Sequence, residues 1–87
     1  MFYIQNTSIM NITLSPSWVN GNYIVNGFQV TIKSHLSIAR FRSLDNDDDY
    51  YFQGSEADDV INEIFDIWNK SDIPQDEAVG QWISMHL

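Results

Sequence analysis

Residues 45–68 read DNDDDYYFQGSEADDVINEIFDIW, and two periodicities meet within them. From Ser55 to Asn69 the apolar residues Ala57, Val60, Ile61, Ile64, Ile67 and Trp68 recur at three and four, the stripe of a helix lying on another layer. Ser55 stands where an N-cap belongs, Asp58 three residues later completes a capping box, and Glu56 and Asp59 sit where the helix dipole favours negative charge. Gln53-Gly54 reads as the turn before the helix, and Tyr50–Gln53 as a short strand. Downstream, the segment Lys70–Pro74 ends the helix, and Pro74 opens a second one with Gln75 or Asp76 near its cap. Ala78, Val79, Trp82, Ile83 and His86 form its apolar side, and Gly80 there signals close packing.

Upstream of Asp45 the period changes from three and four to two. Met10, Ile12 and Leu14 alternate with polar residues, and Pro16 ends that strand. Trp18 and Val19 read as the start of a second extended piece. Asn20-Gly21 and Asn26-Gly27 are both hairpin signals, because both residues of a type I′ turn need positive φ. Asn26-Gly27 is the better placed. It joins Asn22–Val25 to Phe28–Lys33, where Phe28, Val30 and Ile32 alternate with Gln29, Thr31 and Lys33. Residues 35–44 can be written as a short helix or as a strand; strand is preferred because the hairpin needs a neighbour to cover its apolar face. The order is strands, then helices. The expectation is one α+β domain over 1–87, with a small antiparallel sheet of three to five strands (~9–53) and two helices (~55–69 and ~75–86) on one face.

Eighty-seven residues support only a thin core, with roughly 60% of the unfolded surface buried. With no cysteine and only His35 and His86, disulfides and Cys/His zinc sites are excluded. No basic segment precedes an apolar run at the N-terminus, and no apolar run approaches the roughly 20 residues of a membrane span. The chain reads as soluble and cytoplasmic.

Charge is the informative quantity. The formal net charge is −8, from 12 acids and 4 bases, and the two halves differ sharply. Residues 1–44 hold Lys33, Arg40 and Arg42 and no acid; residues 45–87 hold every acid and only Lys70. Such a balance disfavours direct nucleic-acid binding and anionic membranes, which need clustered Lys and Arg. It favours a basic protein or nucleoprotein partner, approached under long-range attraction.

Glu56, Asp59, Glu63 and Asp66 follow one another at three, four and three, so one helix face presents all four, and only Lys70 interrupts them. With Asp47, Asp48 and Asp49 upstream, they read as a track of negative charge fit for a groove evolved for DNA or RNA. Three consecutive aromatics cannot all face inward from a strand, so Tyr51 is expected outside as an anchor beside the acids. The bland reading is a solvated helix face whose acidity only confers solubility. A regulatory module docking through an apolar surface, with a homodimer among its forms, is the competing function. A third reading is a calcium loop: Asp45, Asp47, Asp49 and Glu56 match positions 1, 3, 5 and 12 of an EF-hand, with Tyr50 where Gly belongs. It would require residues 36–44 to be helical. No nucleophile elbow or P-loop occurs, and neither histidine has an acidic neighbour of obvious use, so the chain reads as non-catalytic and without a cofactor.

Small size, absence of cysteine, lopsided acidity, and strands followed by an acidic helix resemble the small inhibitors encoded by phages and mobile elements. Among these are anti-CRISPR and anti-restriction proteins, several of which imitate DNA. The resemblance implies a stoichiometric blocker of a basic, nucleic-acid-binding machine in the host cytoplasm. Its contact charges would be Asp47, Asp48, Asp49, Glu56, Asp59, Glu63 and Asp66, with Tyr51 as anchor.

Overall fold

The computed structural model describes residues 16–87, and the strand expected at Met10–Leu14 lies outside them. Four strands form an antiparallel meander in sequence order: β1 (Gly21–Val25), β2 (Phe28–Lys33), β3 (Ile38–Ser43) and β4 (Asp49–Gln53). Two helices follow, α1 (Ser55–Ser71) and α2 (Gln75–His86). The expected α+β order holds.

Asn26 and Gly27 turn the β1–β2 hairpin with φ of 52° and 78°, the doubly positive geometry their sequence promised. Val25 pairs with Phe28 directly across it. Residues 38–43 are strand, not helix, with Phe41 opposite both Val30 and Tyr50. Alternation then does the sorting. Val30, Ile32, Ala39 and Phe41 are buried on the covered face beside half-buried Tyr50 and Phe52. The helices close this face with Ala57, Val60, Ile61 and Ile64 from α1 and Ala78, Val79, Trp82 and Ile83 from α2. Trp82 stacks on Phe41 at 4.9 Å and meets Phe52 edge-on at 6.3 Å, so one indole joins α2 to the two strands.

Three local expectations need correction. Pro16–Trp18 is a 3-10 turn rather than an extended start, and Trp18 is exposed while Val19 is buried. Of the two Asn-Gly pairs only the favoured Asn26-Gly27 turns a hairpin, and Gly21 begins β1. Ser55 does not cap α1. Gly54 occupies the cap position with φ 66°, donates its N–H to Ser37 O at 2.9 Å, and accepts from Asp58 N at 3.0 Å. The Asp58 carboxylate accepts a hydrogen bond of 2.7 Å from the Ser37 hydroxyl, so it ties the helix to the β2–β3 connection instead of completing a capping box. No side chain caps α2 either: Pro74 precedes it, and Asp76 accepts from the neighbouring Glu77 N–H.

Candidate functional site

Every exposed acid after the strands belongs to the helical layer or its connection, and the α1 acids keep the shared face their spacing dictates. They are not equivalent. Asp66 pairs with Lys70 at 2.9 Å. The Oε1 of Glu63 accepts the indole N–H of Trp82 at 2.8 Å and lies 3.6 Å from Nε2 of His86, whose ring stacks on the same indole at 4.6 Å. His86 therefore packs against Trp82 while remaining exposed. Glu56 and Asp59 have no ion-pair or hydrogen-bond partner among the described residues.

The β3–β4 loop is built on its own polar groups. Ser43 Oγ accepts from the N–H groups of Asp45 and Asn46, Asn46 Oδ1 accepts from Asp48 N–H at 2.8 Å, and Asp48 O accepts from Ser43 N–H. This holds Asp45, Asp47 and Asp48 exposed at one end of the sheet. Asp49 is the first residue of β4 and faces elsewhere. It takes a two-pronged bond from Arg40, 3.1 Å from Nε and 2.7 Å from Nη2, and those hydrogen bonds hold its carboxyl below the usual range against an opposing desolvation, with the charges of Arg40 and Arg42 adding to the lowering.

Asp48 and Glu56, close in sequence, are thus set apart in the fold. All of β4 lies between Asp48 and Glu56, a separation of roughly 17 Å for five extended residues. The same strand undoes the calcium loop: Asp45 and Glu56 flank its opposite ends, Asp49 is committed to Arg40, and residues 38–43 are not helical. Among the described residues no three His, Cys, Asp or Glu side chains gather as a metal site.

Tyr51 faces outward, 52% exposed, between half-buried Tyr50 and Phe52. It does not stand among acids. Its cross-strand neighbour is Arg40, and the open face of the sheet around it carries Lys33, Arg40 and Arg42, with Asp49 as the one acid. These three bases are the group that sequence reading passed over. Their alternation was visible within each strand, but only the register across β2, β3 and β4 gathers them on one face.

An open depression of about 360 Å³ runs between the hairpin and α2 beside Asn26, Gly80 and Ser84, with Glu77 as the one charged residue lining it. It holds no acid–base pair or nucleophile of catalytic geometry. Among the described residues no helix is long and apolar enough to cross a membrane. Comparison with protein-family models, curated proteins and solved structures gives no match.

Proposed function

We propose that this chain is a stoichiometric protein inhibitor that sets its acidic helical layer into the basic groove of a nucleic-acid-binding machine. One observation carries the reading. Three of the four bases lie on the sheet face away from the helices, so the helical layer keeps its acids almost uncompensated, with Lys70 its single cation. An unneutralised acidic layer raises the encounter rate with a basic groove and competes there for the sites that phosphates occupy.

The contact charges divide by their partners. Glu56 and Asp59 are available without breaking anything, and Asp47 and Asp48 reach out from the ordered loop as a second contact. Asp66 is half-compensated by Lys70. Glu63 contributes charge while anchored to Trp82, and Asp49 is spent on Arg40. The setting such a blocker requires is the cytoplasm of the cell that houses the machine, and no cofactor enters.

The test is capture from host lysate by the immobilised chain, with DNA or RNA as competitor. The reading expects one basic nucleic-acid-binding complex, released by the competitor and lost when Asp47, Asp48, Glu56 and Asp59 become Asn or Gln. Equal capture by that variant would remove it.

A further inference from the structure

The open face of the sheet is not the polar, evenly charged surface that an unused sheet face carries. Across the register, Thr31, Arg40 and Tyr51 form one row and Gln29, Arg42 and Asp49 the next, with Lys33 beside Ile38. Ile24 at the β1 edge is 75% exposed. Arg40 is held by Asp49, but Lys33 and Arg42 have no ion-pair partner among the described residues. The face is therefore cationic, with apolar and aromatic groups between its charges, a mixture suited to an acidic protein surface.

We propose that this face is a self-docking surface, receiving the acidic helical layer of a second copy of the chain. Charge complementarity selects that occupant. Each molecule carries both halves of the pair, Lys33 and Arg42 on the sheet and Glu56 and Asp59 on α1. Two sheet faces cannot pair with each other, since that would set three cations against three. The contact is therefore head-to-tail and generates chains or a ring instead of a two-fold dimer. Nucleic acid is the poorer fit: a net charge of −8 repels phosphate at long range, and Lys33 together with Arg42, whose charge is partly met by Asp49 across the strand pair, offers little in return. The same net charge opposes self-association, but at physiological salt it is screened beyond about 8 Å, whereas the paired groups meet closer than that. Four strands about 4.8 Å apart and some 17 Å long give roughly 300 Å², well under the about 800 Å² per partner of a standard interface. The association is weak and shows at high protein concentration.

Sedimentation equilibrium of the whole chain tests this, with circular dichroism confirming that each variant is folded. The wild type is expected to grow in mass with concentration at low salt and to return to monomer at high salt. Lys33→Gln/Arg42→Gln, which blocks the face, and Glu56→Gln/Asp59→Asn, which blocks the layer, should each weaken association about tenfold or more. Mixed in equal amounts, they should still form a one-to-one pair and nothing longer, because each retains the half the other lost. A monomeric wild type at every concentration overturns the proposal. So does a two-fold dimer that survives either variant. The inference shares Glu56 and Asp59 with the inhibitor reading, and Lys33→Gln/Arg42→Gln separates the two: it leaves the acids intact, so capture of a basic complex should persist while self-association is lost.

Discussion

The indole N–H of Trp82 donates to Oε1 of Glu63 at 2.8 Å, so an acid of the exposed α1 face holds down the core indole that stacks on Phe41. Charge and fold are coupled at this residue. Glu63→Ala should destabilise by about 1–2 kcal/mol, because it leaves a buried indole donor without a partner. Glu63→Gln keeps an acceptor oxygen and should cost under about 0.5 kcal/mol. Urea denaturation followed by tryptophan fluorescence separates the two. Equal losses would mean that the carboxylate charge matters and the hydrogen bond does not.

Gly80 is a packing requirement. A Cβ there would lie 2.8 Å from Cγ2 of Val25, and its carbonyl accepts from the Asn26 side-chain amide at 2.6 Å. Gly80→Ala gains about 1 kcal/mol of helix propensity. The overlap with stiff Val25 should outweigh that and leave a net loss of about 1 kcal/mol. Val25→Ala should rescue the substitution in a double-mutant cycle.

Asn26 serves the same junction in two ways. It supplies a positive φ to the hairpin and bonds both Gly80 O and the Ser84 hydroxyl. Asn26→Gly preserves the turn and loses only the bonds, about 1 kcal/mol, whereas Asn26→Ala should cost more because φ becomes strained as well. Thermal unfolding of the two variants checks the order.

The start of α1 can be tested by a contrast. Ser55→Ala should be neutral within about 0.5 kcal/mol. Ser37→Ala and Asp58→Ala should each cost about 1 kcal/mol and be non-additive, because each removes the same 2.7 Å bond. A costly Ser55→Ala would restore Ser55 as the cap.

Two pH limbs follow from displaced side chains. Arg40 holds the Asp49 carboxyl below its ordinary value of 3.8, so its stabilising effect is complete above that pH and is lost as pH falls through the folded value. Wild type and Asp49→Asn should therefore begin to converge in melting temperature only below pH 3.8, and meet once pH has passed the lower, folded value. Burial raises the Tyr23 phenol above 10.0, with Asp76 adding to the rise. That contribution is complete below pH 10 and is lost as pH rises through the folded value. Tyr23→Phe should therefore flatten the alkaline decline. The variant also gives up the hydroxyl's contacts with Asn20 O and Gln75 Oε1, which lowers its plateau.

What the sequence made legible was periodic or local. The Phe28-Val30-Ile32 alternation, the Asn26-Gly27 turn and the three-four stripe of α1 each specify their element from within a few residues, and each element is found. Ser55 misled because the competing bond for Asp58 comes from Ser37, 21 residues away. Glu63 looked like a solvated acid because Trp82 reaches it only after α2 folds back. Asp48 and Glu56 looked adjacent because sequence distance hides the length of the intervening strand. The basic face was invisible for the same reason: Lys33 and Arg42 become neighbours of one surface only through strand register.

The central claim is that the acidic layer docks by charge. Its most direct test is the salt dependence of binding to the captured complex, from about 50 mM to about 200 mM salt, for wild type and the Asn/Gln variant at positions 47, 48, 56 and 59. The account predicts a steep loss of wild-type affinity with salt, and a weaker, flatter response for the variant. An affinity indifferent to salt, or one equally steep in both proteins, would contradict it.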